Sequence, residues 1–102
     1  MVKKVNSDEF EEAVKSGTVF VDFYADWCGP CRMLAPFVEQ ASEQITDVKF
    51  IKVNVDECGE LANQFQVMSI PTMVIIKNQQ VVARDLGFKP LNQLLEFINN
   101  NK

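Results

Sequence analysis

The sequence predicts an α/β fold: a mixed five-stranded sheet, parallel in its core and extended by an antiparallel hairpin, with four helices on its two faces. Three observations predict it. Strand-like and helix-like segments alternate from residue 2 to residue 66, which implies parallel strands joined by helical crossovers. "TVFVDFY" (18–24) is β-branched and aromatic with little polar alternation, as befits a strand covered on both faces. Two further strand-like runs, 72–77 and 80–86, lie too close together for a crossover and are expected as a hairpin. The 102 residues suffice for one core but not two, so 1–102 is read as a single domain.

Each element has its own signal. Residues 2–5, "VKKV", are a short strand candidate. Asn6 or Ser7 caps a helix in which Phe10, Ala13 and Val14 share a face, and Gly17 ends it. After strand 18–24, Leu34, Phe37, Val38, Ala41 and Ile45 keep a helical stripe, so 31–46 is a helix. Pro36 inside it removes the bond to the Arg32 carbonyl and should kink it. "VKFIKVNV" (48–55) alternates as a strand, and a short helix over 57–66 takes Asp56 as its expected cap. The hairpin turn Asn78-Gln79 lacks the glycine that tight primed turns prefer, which predicts a looser turn or a positive φ at Asn78. Pro90 opens a last helix marked by Leu91, Leu94, Leu95 and Ile98, with the "NNNK" end expected to fray.

Composition narrows the function classes. The chain is 47% hydrophobic and 24% charged, which suits a globular domain rather than a disordered one. A net charge of −4 gives no basic footprint, so no nucleic-acid partner is expected. No apolar run approaches the roughly 20 residues of a membrane span, and no membrane association is expected. "MVKKVNSDEF" has a basic pair without a following apolar segment and does not read as a secretory signal, so a cytoplasmic location is the expectation; a monomer is expected as well. In that compartment a cysteine pair points to metal or catalysis rather than to a structural staple.

That pair stands in "ADWCGPCRM", just past the carboxyl end of the central strand, where open α/β sheets place their chemistry. A structural zinc site wants four ligands, yet Cys58 is the sole further cysteine and the chain has no histidine; no metal is expected. Haem attachment needs histidine after the second cysteine, where Arg32 stands. The redox reading uses every neighbour. Unpaired amides and the positive dipole end of a helix favour a thiolate on Cys28. Two intervening residues let Cys31 reach a mixed disulfide held there. Pro30 suits a first helical turn, and Gly29 leaves a partner's backbone unobstructed.

"WCGPC" (27–31) after "VDFYAD", with "SIPT" (69–72) downstream, resembles the thioredoxin family, and the element order matches the thioredoxin fold over essentially the whole chain. The resemblance implies a protein-disulfide reductase with no cofactor of its own. Disulfide-containing proteins would be its targets, and a flavin-containing thioredoxin reductase would restore it. By the same resemblance Asp22 is the buried base that deprotonates Cys31, and Lys52 the lysine near it. Pro71 follows Ile70 by a cis bond, leaving the Ile70 backbone free for an extended target. Gly87 helps form an apolar patch with Trp27 around the cysteines. On pattern alone Asp22 remains either a carboxylate in an apolar setting or a strand end facing solvent, and Lys52 an exposed strand lysine. Oxidases of this fold often carry histidine where Pro30 stands, which favours a reductase here. A non-catalytic binding subunit using the same patch is the rival reading. Tyr24, Met33 and Phe37 are read as core, and Cys58 as a tolerated surface or half-buried thiol without strong activation.

Overall fold

A computed structural model describes residues 1–102. In chain order the elements are β1 (Lys3–Lys4), α1 (Ser7–Ala13), β2 (Thr18–Tyr24), α2 (Gly29–Gln44), β3 (Lys49–Asn54), α3 (Gly59–Gln64), β4 (Thr72–Lys77), β5 (Gln80–Leu86) and α4 (Leu91–Asn101). All five strands join one sheet in the order β1-β3-β2-β4-β5. Strands β1, β3 and β2 are mutually parallel, and β4 runs antiparallel to both β2 and β5. The architecture is the expected mixed sheet with four helices. No helix is long and apolar enough to cross a membrane.

Period-two side-chain direction divides β2 between two apolar layers. Val19, Val21 and Phe23 pack with Phe10 of α1 and Leu61 of α3. Phe20 packs on the other side with Leu34 and Val38 of α2 and with Leu94 and Ile98 of α4. Helices therefore cover both faces, and the central strand reads apolar throughout because neither face meets water. Each large side chain buried in these layers contributes about 1.5–3 kcal/mol.

Local chemistry sets the boundaries. Asn6 caps α1 in a reciprocal box: its side chain accepts from the Glu9 amide at 2.9 Å, and the Glu9 carboxylate accepts from the Asn6 amide at 3.0 Å. Helix α2 begins at Gly29, two residues before the predicted start, because Cys28 acts as its N-cap and Pro30 fits the first turn. Pro36 lies inside a helix that continues past it. Asp56 does not cap α3; Cys58 occupies that position without a side-chain cap bond, since the Asp56 carboxylate is engaged elsewhere. The β4–β5 turn is a two-residue one in which both Asn78 (φ 51°) and Gln79 (φ 71°) adopt positive φ. The chain end is ordered to Asn101, where the Asn101 side chain donates to the Phe97 carbonyl and Lys102 pairs with Asp47 at 3.0 Å. Strand β1 shrinks to two residues, with Val5 turning into the core.

Asn6→Ala removes one partner of the capping box and strands the Glu9 amide. Urea denaturation should show a loss of about 1 kcal/mol at unchanged m-value. An unchanged midpoint would mean that the box contributes nothing to the folded state.

Candidate active site

Sheet register gathers the site. Thr72 pairs with Phe23, so Pro71 and Ile70 arrive beside the residues that follow β2. Leu86 pairs with Thr72, which brings Gly87 up to Pro71; the Gly87 amide donates to the Pro71 carbonyl at 2.9 Å. Asn54 pairs with Tyr24, and the Val55 amide donates to the Tyr24 carbonyl at 2.8 Å. Three loops, distant in sequence, thus converge at the carboxyl end of β2 around the cysteines. Gly87 holds φ 82°, a conformation that favours glycine.

Cys28 and Cys31 are joined as a disulfide with their Cα atoms 5.2 Å apart, and both residues are buried. The Cys31 amide donates to Cys28 Sγ at 3.2 Å, so the first sulfur serves as the N-cap acceptor of α2. An acceptor sulfur facing unpaired amides at a helix start is a setting that favours a thiolate. Cys28 Sγ also lies 3.8 Å from the Ile70 carbonyl oxygen. The Ile70–Pro71 bond is cis, and neither the amide nor the carbonyl of Ile70 bonds to another backbone group.

Behind the pair, Asp22 and Cys31 line one cavity of about 200 Å³ together with Tyr24, Asp26, Arg32 and Lys52. Asp22 is 3% exposed, and its Oδ1 meets no protein hydrogen-bond donor. It is a buried carboxylate, not a strand end facing solvent. Burial pushes its carboxyl up from 3.8 to about 7; the attraction of Lys52, its register partner on β3, offsets only part of that. Lys52 is half-buried rather than exposed, with Nζ 5.4 Å from the centre of the Tyr24 ring. No cluster of three or more His, Cys, Asp or Glu side chains arranges itself to hold a metal ion.

The rim is apolar. Trp27 is 69% exposed, and its indole Nε1 donates to Asp56 Oδ2 at 2.8 Å, which fixes the ring beside Cys28. The local pattern offers Asp56 as a helix cap; nothing in the sequence links it to Trp27, because the two meet only through the β2–β3 register. Met33 is 60% exposed, which corrects its placement in the core: it falls off the stripe made by Leu34 and Val38. Tyr24 and Phe37 do pack against the core, partly buried. Cys58 is neither surface nor half-buried; it sits within the apolar layer of α1 and α3. Arg32 Nη1 donates to the Asp26 carbonyl at 2.9 Å and ties the loop ahead of the cysteines.

Asp22 ionises near 3.8 in an unfolded chain and near 7 when folded. Below about pH 4 both states are protonated and the group is neutral in its effect. As pH rises towards 7 only the unfolded state loses the proton, so stability falls, and above about 7 the loss levels off. The gap corresponds to about 4 kcal/mol. Asp22→Asn should therefore exceed the wild type in stability by a few kcal/mol at about pH 8, with the difference shrinking towards pH 4. Identical urea midpoints at the alkaline pH would show that the carboxylate is not desolvated.

Comparison with known proteins agrees with the geometry. A family profile described as Thioredoxin matches residues 1–100. The chain is 42% identical over 101 residues to a thioredoxin of Chlamydia pneumoniae, covering 99% of both chains. It is 44% identical over 100 residues to a thioredoxin of Listeria monocytogenes, covering 97% of each. Among solved structures, a mutant thioredoxin from Halobacterium salinarum superposes with a TM-score of 0.92 at 34% identity, over 98% of this chain and 89% of that one. With the Cys28–Cys31 pair at the head of α2 and likeness running the length of the sequence, the chain belongs to the thioredoxin family of thiol–disulfide oxidoreductases.

Proposed function

We propose that the protein reduces disulfides in other proteins, with Cys28 as the attacking thiolate, Cys31 as the resolving thiol and Asp22 as the base that frees it. One observation carries this division of labour: Cys28 Sγ is the sulfur that accepts the Cys31 amide at the start of α2, while Cys31 shares its cavity with the buried Asp22. In the reduced protein the Cys28 thiolate attacks one sulfur of a target disulfide. A mixed disulfide forms, and the other target sulfur leaves as a thiolate and takes up a proton. Asp22 then accepts the proton of Cys31, whose sulfur attacks Cys28. The intramolecular disulfide closes, the second target thiol departs, and two electrons have passed to the target.

Lys52 acts on this step through Asp22, by attraction that limits how far burial raises the carboxyl. Trp27, Gly29, Pro30, Ile70, Pro71 and Gly87 form the docking rim. The free Ile70 backbone supports a docking mode in which an extended target segment adds main-chain hydrogen bonds beside the cysteines. Pro30 between the cysteines favours the reducing direction, since no cationic side chain is there to stabilise the dithiol form. A flavin-containing thioredoxin reductase restores the dithiol, and the cytoplasm is the compartment where such a couple works.

Cys31→Ser should accumulate covalent adducts with insulin or lysate proteins on non-reducing gels, because attack survives and release does not; Cys28→Ser should accumulate almost none. Equal adduct formation by the two variants would overturn the assignment. The raised carboxyl sets a second outcome. Asp22→Asn should slow target reduction on the order of tenfold or more near pH 7–8. The deficit should narrow on the acid side, where Asp22 is itself protonated, and at strongly alkaline pH, where solvent hydroxide takes the proton of Cys31 in place of the carboxylate. A deficit of constant size from acid to alkaline pH would leave Asp22 a purely structural group.

A further inference from the structure

The loop between α3 and β4 carries the Ile70 carbonyl to its place beside Cys28, and a single side chain on edge strand β5 holds the start of that loop. Arg84 Nη1 donates to the Phe65 carbonyl, and Arg84 Nη2 donates to the Gln66 carbonyl at 2.7 Å. Phe65 is the C-cap of α3, and Gln66 stands at φ 53°, in the left-handed conformation that ends a helix. Carbonyls at a helix end have no partner within the helix, and a planar guanidinium offers two donors in a fixed fork to satisfy a pair of them. Both bonds are charge-assisted. Helix α3 is only six residues long, so its end depends on contacts from outside the helix.

Beyond Gln66 the chain runs through Val67, Met68 and Ser69 to Ile70. Its inner ties are the Val67 amide on the Ala62 carbonyl at 2.9 Å and the Thr72 hydroxyl on the Ser69 carbonyl at 2.6 Å. The first belongs to α3 and the second to β4. The Phe65 ring already packs against Phe23 of β2, 5.5 Å between centroids, and Arg84 adds the polar tie of the α3 end to the sheet, its own strand pairing with β4 through Arg84–Val74. Val67 and Ile70 pack inward at the two ends of the segment, while Met68 between them is 93% exposed and adds no apolar contact.

We propose that Arg84 is a positioning residue for target binding. Through the carbonyls of Phe65 and Gln66 it sets where Ile70 stands relative to Cys28, and with that the affinity for an extended polypeptide flanking the target disulfide. It touches neither sulfur and takes no part in electron transfer. The inference deepens the docking reading above and rests on it. A small disulfide reaches Cys28 without using the Ile70 backbone, so the two kinds of substrate separate positioning from chemistry.

Steady-state reduction of insulin and of hydroxyethyl disulfide, with dithiothreitol as electron donor, tests this in the full chain. Arg84→Ala should raise KM for insulin about threefold to tenfold and leave kcat within about twofold. Reduction of hydroxyethyl disulfide should stay within about twofold of wild type. Arg84→Lys, which keeps the charge and loses the fork, should fall between. An unchanged insulin KM in Arg84→Ala overturns the proposal, and so does an equal loss on both substrates, which marks general damage to the fold. Wild-type protein that shows no preference for insulin over hydroxyethyl disulfide overturns the docking reading and this inference with it; that failure is visible before any variant is made.

Discussion

Strand β2 is the middle of five, and its simultaneous pairing with β3 and β4 is the constraint on which the rest depends. Both edges are hydrogen-bonded and both faces are covered, so every side chain from Val19 to Phe23 enters the interior. For four of those positions the consequence is cohesion. For Asp22 it is a carboxylate held out of solvent, with its proton retained to about neutral pH. The price of the site is thus taken from the most secure part of the fold. A surface strand would bend or hydrate to relieve the carboxylate, whereas a doubly paired strand cannot turn it out without breaking ladder hydrogen bonds on both sides.

Position along β2 then separates two kinds of chemistry. At Asp22 burial outweighs the attraction of Lys52. A few residues on, past the last ladder pair, the chain reaches Cys28, whose buried sulfur accepts a backbone amide at the start of α2. The first sulfur therefore sits in a field that favours negative charge, and the second lies one turn deeper, towards the carboxylate. The asymmetry needs no histidine and no metal ligand. It follows from a strand that ends where a helix begins, with two residues between the sulfurs.

The rim around the cysteines is built by register rather than by any one segment. Trp27 is fixed by Asp56 from the loop after β3, and Pro71 is joined to Gly87 from the loop after β5. These ties cross strands, so the surface offered to a target is as rigid as the sheet edges that carry it. The α3–β4 loop is the exception, because its α3 end is short and is held from outside by Arg84. Cys58, by contrast, takes no part in the rim. Its burial between α1 and α3 makes it a small apolar core residue with a thiol that faces no partner.

The sequence by itself determined the element order, the two-sided burial of β2, the helix stripe of α2 and the cysteine pair at its start, since each of these is written in side chains adjacent in the chain. Period and composition suffice for them, and the "WCGPC" and "SIPT" resemblance supplied the cis Ile70–Pro71 bond that local pattern alone would have read as trans. Tertiary structure decided the contacts that join residues through strand register. The indole of Trp27 finds Asp56, which the local pattern places at a helix cap; Lys52 is half-buried over Tyr24; Arg84 closes the end of α3. Met33 and Cys58 exchanged their expected places for the same reason, because exposure depends on which neighbour covers a residue and not on its type. A one-residue change of register would turn the strand residues Lys52 and Arg84 to the opposite face and undo their contacts, and β2 is held in register by pairing on both sides at once.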